Sequence, residues 1–151
     1  MKIIKAKTLK TKNVCELTVS SEVILKLRDK LFSLVDFIFA IKDYPNMKID
    51  TIEIDDCLHE TIKDNVGITV KGDVDYTKFC EKVLKMIDHK DGDCVGSIIL
   101  HGNYLNIPVS IMFAPYTKTE GIMSVRLDDY TKQNEVNQFI EIILKKGEKL
   151  L

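Results

Sequence analysis

Three β-rich runs follow one another between residues 95 and 127, and this order constrains the fold more than any other feature of the sequence. The runs are residues 95–101, 104–114 and 122–127, and Gly102 with Asn103 forms a typical hairpin turn pair between the first two. Pro108 lies inside the second run and predicts an edge strand or a bulge, because proline has no N–H to donate. Short connections join antiparallel neighbours, so the sequence predicts an antiparallel meander with one apolar face to cover.

A long amphipathic helix is predicted after Ser20 and Ser21. A serine can cap its first turn, Glu22 suits the helix dipole, and apolar residues recur every three or four positions over residues 24–41. We expect this helix to end before Pro45.

The second half of this helix is apolar almost all round because it contains three phenylalanines, which are Phe32, Phe37 and Phe39. This composition predicts burial on two sides, and the alternative is a face for docking or self-association. A rival assignment makes residues 37–41 a strand, because short apolar runs fit both periods.

The remaining elements complete an alternating order of strands and helices. Strands are predicted at residues 2–9, 48–55 and 66–71, and a helix capped by Asp73 is predicted to run to about residue 87. A last helix is expected to end at Lys145, Lys146 and Gly147. The order β-α-β-β-α-β-β-β-α predicts a single α+β domain over residues 1–151, with a mainly antiparallel sheet packed against about three helices.

Charge and motifs argue against several classes of function. The 22 Lys plus Arg against 23 Asp plus Glu leave a net charge of -1, which disfavours binding to nucleic acid or to an anionic membrane. The longest apolar stretch, residues 31–41, is about half of what a membrane-crossing helix needs. The sequence contains neither a phosphate-binding glycine loop nor a serine hydrolase elbow, so we predict no cofactor.

The cysteines and histidines give weak indications of chemistry. The four cysteines are widely spaced, which is typical of reduced thiols in a cytoplasmic protein. Two polar clusters are interpreted as a solvated loop and a helix end rather than as metal sites. They are Asp55, Asp56, Cys57, His59 and Glu60, and Asp88, His89, Asp91 and Asp93. His101 could act as a general base if a carboxylate or a thiol faced it.

The charge distribution is more informative than these motifs. Residues 43–75 hold nine carboxylates against three lysines, whereas the first twelve residues hold five lysines and no acid. An acidic segment of this kind can steer a basic partner, although it can also be only a solvated face. The residues predicted to bind the partner are Asp50, Glu53, Asp55, Asp56, Glu60 and Asp64.

These observations favour a non-catalytic protein-binding protein. A bacterial immunity protein or antitoxin that neutralises a basic, nuclease-like toxin fits the acidic segment and the excess of Lys over Arg, which indicates an AT-rich gene. The analogy is one of physical type, since no motif identifies such a family. The alternatives are a small enzyme that gathers His59 or His101 with Cys57 or carboxylates, and a ligand-binding or self-associating domain. The sequence patterns specify neither the strand order nor the oligomeric state.

Overall fold

The β-rich runs predicted from the sequence join one antiparallel sheet in the computed structural model, which describes residues 2–9, 13–55, 68–71, 75–88, 97–114 and 121–151. The strands are β1 (Lys2–Leu9), β2 (Val14–Ser20), β3 (Met47–Asp55), β4 (Ile68–Lys71), β5 (Ser97–Tyr104), β6 (Ile107–Ala114) and β7 (Ile122–Leu127). The helices are α1 (Glu22–Leu27), α2 (Leu31–Lys42), α3 (Tyr76–Asp88) and α4 (Gln133–Leu150). The strand order is β1-β2-β7-β6-β5-β3-β4, so the predicted α+β fold is confirmed.

One face of the sheet and the inner faces of the helices form a single core. Successive residues of a strand point to opposite faces, and buried residues alternate with half-buried or exposed ones over residues 15–20, 97–100 and 122–127. The core positions of the sheet include Leu17, Ile54, Leu100, Ile111 and Val125. Helix α4 packs against β2, α1 against β7, and α2 and α3 against β3.

Strand β2 was not predicted, and it lies inside the sheet between β1 and β7. Buried and half-buried side chains alternate over only a few residues of β2: Cys15, Leu17 and Val19 are buried, and Glu16 and Thr18 are half-buried. This pattern is the expected one for a half-covered strand. Strand β1 forms one edge of the sheet and pairs with β2, and a lysine-rich sequence suits an edge strand.

The predicted single helix over residues 22–41 is wrong, because the chain forms α1 and α2 with a break at residues 28–30. The side chain of Ser21 caps α1 by accepting a hydrogen bond from the backbone N–H of Val23 at 3.1 Å, which confirms the predicted start. The backbone N–H of Lys30 bonds the Leu27 carbonyl at 3.0 Å and closes the first helix. Apolar periodicity continues across the break because both helices bury their apolar sides in the same core.

The aromatic half of this region is core rather than a docking face. Phe37 is fully buried and packs against Phe113 with ring centroids 5.2 Å apart, whereas Phe39 packs edge-on against Phe79. Phe32 alone among the three phenylalanines is exposed, at 66%. Residues 37–41 belong to α2, so the rival strand assignment is wrong.

The third helix begins later than predicted. The side chain of Asp75 caps it by accepting a hydrogen bond from the backbone N–H of Lys78 at 3.0 Å, and Asp73, the predicted cap, lies outside the described residues. Phe79, Cys80 and Val83 of this helix are buried in the core, whereas Tyr76 and Leu84 are exposed.

The hairpin between β5 and β6 is confirmed, but its turn is Leu105 with Asn106, both at positive φ, rather than Gly102 with Asn103. Strand β6 lies between β5 and β7, so the edge position predicted from Pro108 is wrong. Tyr104 and Ile107 close the two-residue turn, and the next pair, Asn103 with Pro108, is therefore a non-hydrogen-bonded pair. The nitrogen of Pro108 points away from β5, so no bond of the β5–β6 ladder is lost. On the other side the Pro108 carbonyl accepts a hydrogen bond from the backbone N–H of Asp128 at 3.1 Å, just beyond the end of β7.

Helix α4 does not end at Gly147, as was predicted, but continues to Leu150. Gly147 is buried inside its last turns. The small residue is there for a close helix contact and not for a C-cap.

Candidate functional site

The second face of the sheet carries the candidate site. Residues that alternate with the core positions are half-buried or exposed, and in the described part of the chain no helix covers them. We call this surface the open face. Most of its described side chains are polar or charged, and they include Glu16, Thr18, Thr51, Glu53, His101, Ser110, Ser124 and Arg126.

A hydrogen-bonded array of three side chains lies at the middle of the open face. His101 of β5 stands opposite Ser110 of β6 in the strand register, and Glu53 comes from β3 on the other side. The Nε2 atom of His101 is 3.1 Å from Oε2 of Glu53, and its Nδ1 atom is 3.2 Å from Oγ of Ser110. The side chains of His101 and Glu53 are 41% and 42% exposed, so solvent reaches the array.

The bonding partners determine the tautomer of His101. A carboxylate can only accept a hydrogen bond, so in the neutral imidazole Nε2 carries the hydrogen. Nδ1 then has the lone pair and accepts the hydroxyl hydrogen of Ser110. The array therefore runs in one direction, from hydroxyl to imidazole to carboxylate.

A shallow groove of about 390 Å³ lies beside this array. Its lining includes Asp50, His101, Ser110, Arg126 and Asp128. Arg126 stands opposite Ser110 in the register of β6 and β7, and its Nε is 3.7 Å from Oδ1 of Asp128. A guanidinium next to a serine hydroxyl can bind an oxygen that carries negative charge.

An irregularity in β3 brings Asp50 to the groove. The register between β3 and β5 shifts between Ile49 and Thr51, and Asp50 is the additional residue. Gly102 lies opposite Ile49, and a Cβ at that position would be 1.9 Å from the carbonyl oxygen of Lys48. Only glycine permits this close approach of the two strands.

The structure brings together two of the residues that the sequence predicts to bind a partner. Asp50 is exposed in the groove, and Glu53 contacts His101. Asp55 pairs with Ser97 at the end of β3, but its side chain lies outside the described residues. Asp56, Glu60 and Asp64 lie outside them altogether, as do Cys57 and His59.

Ser110, Arg126 and Asp128 were not predicted as site residues. The condition set for His101, a carboxylate facing the ring, is met by Glu53. The partner Ser110 could have been found from the hairpin register, but a turn at Gly102 and Asn103 would place a different residue opposite His101.

The thiols among the described residues lie on the helical side of the sheet. Burial, and to a smaller extent the charge of Asp129, raises the pKa of Cys15, whose Sγ lies 2.9 Å from Oε1 of Gln133. Burial also raises the pKa of the Cys80 thiol. Within the described ranges, no group of three or more His, Cys, Asp and Glu side chains could hold a metal ion.

Comparison of the chain with protein-family models, with curated proteins and with solved structures finds no significant match. Among the helices that the structure describes, none has both the length and the apolar character that crossing a bilayer requires.

Proposed function

We propose that this chain is a cytoplasmic protein that binds and neutralises a basic protein, as a bacterial immunity protein or antitoxin neutralises a nuclease-like toxin. The observation that carries the proposal is the open face, which presents the carboxylates of Asp50, Glu53 and Asp128 around one groove. The groove is shallow and open, so the surface of a macromolecule can reach these carboxylates.

The charge of this region favours a basic partner. Asp50 is exposed and has no hydrogen-bond or ion-pair partner among the described side chains. Arg126 is the cation of the groove lining, and it already lies beside Asp128. A basic partner surface would neutralise the excess negative charge around the groove. Complementary charge of this kind raises association rates by about 10- to 1,000-fold in electrostatically steered complexes.

The composition of the surface also suits a protein partner. Ile99, Met112 and Ile122 lie on the open face among the polar residues and are only half-buried. Contact with a partner would remove this apolar area from water, which adds affinity that the charges alone do not provide.

The test begins with capture of the partner by the tagged chain from lysate of its source cells, with elution by salt. Association kinetics with the purified partner then compare the wild type with the double charge reversal Asp50→Lys/Glu53→Lys. We expect association to slow by about tenfold or more and its salt dependence to weaken, because the attraction is removed.

The matched control is Glu141→Lys/Glu148→Lys, which makes the same change of charge on exposed positions of α4. Its association rate is expected to stay within about twofold of the wild type, because α4 lies on the helical side. Equal slowing by both double variants, or recovery of the chain alone from the lysate, would contradict the proposal.

A further inference from the structure

Two serines of the open face, Ser110 and Ser124, differ in the partners of their hydroxyl groups, and the difference points to chemistry. The hydroxyl of Ser110 lies 3.2 Å from the imidazole of His101, whereas the hydroxyl of Ser124 lies 3.0 Å from the hydroxyl of Thr18. Of these two serines, only Ser110 has a base within hydrogen-bond distance among the described side chains. An imidazole that is itself oriented by a carboxylate is the arrangement that activates a serine nucleophile.

We propose that Ser110 is a nucleophile, that His101 is its general base, and that the groove hydrolyses esters of carboxylic acids. This activity does not rest on the proposed partner and goes beyond the binding function. His101 works here through Nδ1 and is oriented at Nε2 by Glu53.

The reaction proceeds in two balanced steps. In the first, the Ser110 oxygen attacks the ester carbonyl, its proton moves to Nδ1 of His101, and the departing alcohol takes that proton from the imidazole as the C–O bond breaks. In the second, water attacks the acyl-serine, again gives a proton to His101, and the carboxylic acid leaves as the proton returns to Ser110. No oxidant, metal or cofactor is needed.

The lining of the groove indicates the class of ester. Arg126 stands opposite Ser110 and can stabilise the negative oxygen that develops on the carbonyl. Most of the lining side chains are polar or charged, so the groove offers little apolar surface to a long acyl chain and suits a short acyl group better. The carboxylates of Asp50 and Asp128 disfavour an anionic alcohol, and an uncharged or cationic alcohol fits better.

The first test uses a fluorophosphonate probe on the full chain. The serine oxygen displaces fluoride from phosphorus, and the serine proton leaves with the fluoride through the base. We expect peptide mass spectrometry to find the phosphonyl group on Ser110 and not on Ser124, which serves as the matched internal control. Absence of label from Ser110, or equal label on both serines, would overturn the proposal without any need for a variant.

The second test measures how fast the probe labels variants whose folding is checked by circular dichroism. His101→Gln should slow labelling of Ser110 by about a hundredfold or more, since general bases contribute about 10² to 10⁴ in rate. His101→Asn serves as a second variant if the first fails to fold. Labelling that is unchanged in a folded His101 variant would also overturn the proposal.

Glu53 is a positioning residue, and its role has a spectroscopic readout. Nitrogen-15 NMR of the imidazole should show the Nε2–H tautomer of His101 in the wild type and a mixture in Glu53→Gln. The same variant should label more slowly, whereas Glu53→Asp should recover part of the rate because it keeps a carboxylate. If the Glu53→Gln variant keeps both the wild-type tautomer of His101 and the wild-type rate of labelling, Glu53 does not orient His101.

Discussion

Gly147 of α4 contacts the ring of Phe37 in α2 so closely that no side chain fits between them. A Cβ at position 147 would lie 2.9 Å from Cε1 and 3.0 Å from Cδ1 of Phe37, and 3.0 Å from Cγ1 of Val23. Glycine inside a helix normally lowers stability relative to alanine. Here the absence of a Cβ lets α4 pack closely on α1 and α2.

Gly147→Ala is therefore expected to destabilise the protein in spite of the better helix propensity of alanine. Overpacking costs about 1 to 3 kcal/mol and the propensity gain is about 1 kcal/mol, so a net loss of about 1 kcal/mol should appear in urea unfolding. The melting temperature should fall by about 3 °C. Lys145→Ala, at an exposed position of the same helix, is the control. A stabilised Gly147→Ala variant would show that the ring of Phe37 can move away.

Phe37→Ala and Phe32→Ala are expected to differ strongly although both positions lie in α2. The first removes a fully buried ring from the core and should cost about 3 to 5 kcal/mol, whereas the second should change stability by no more than about 0.5 kcal/mol. Urea unfolding measures both values. A large loss for Phe32→Ala would mean that its ring is covered, and a mass that depends on concentration would then identify self-association.

Ser21→Ala should weaken the start of α1. The hydroxyl that accepts the N–H of Val23 is lost, and removal of an N-cap typically costs about 1 kcal/mol. Ser20→Ala is the control, because the side chain of Ser20 makes no hydrogen bond to α1 among the described contacts. Similar unfolding free energies for the two variants would contradict the assignment of the cap to Ser21.

Tyr76 should lose its phenolic proton at a higher pH than Tyr44 and Tyr104. Burial, and then the hydrogen bond and the charge of Asp36 at 2.8 Å, raise the pKa of Tyr76 to about 12. Since the folded-state pKa lies above the ordinary value of 10, the associated stability is fully present below pH 10 and is lost as the pH rises toward 12.

Absorbance at 295 nm across alkaline pH measures this titration. Asp36→Asn should move the titration step that occurs at the highest pH to a lower pH, and Tyr76→Phe should remove that step. Asp43→Asn, at the end of the same helix as Asp36, should leave the step unchanged. A step at the highest pH that survives in Tyr76→Phe would assign it to another tyrosine.

The fold class follows from local patterns, and the mistakes occur where distant residues decide. The three runs over residues 97–127 and the cap at Ser21 were predicted because alternation and capping depend on neighbours in sequence. The break between α1 and α2 left the helical period of the apolar residues intact, so no signal marked it. Gly147 looked like a C-cap because its contact with Phe37 spans more than a hundred residues.

The candidate site shows the same division. The sequence by itself indicated that His101 could act as a base if a carboxylate or a thiol faced it, and that Glu53 alternates with Ile52 and Ile54 on its strand. Only the tertiary structure decided that the two meet, because β3 pairs with β5 across 48 positions of chain. The tertiary structure also decided that Ser110 is the third side chain of the array with His101 and Glu53. The two-residue turn at Leu105 and Asn106 sets the register of the hairpin and so places Ser110 opposite His101. Local periodicity determines which residues are buried, whereas strand order and register, which depend on long-range pairing, determine which exposed residues come into contact.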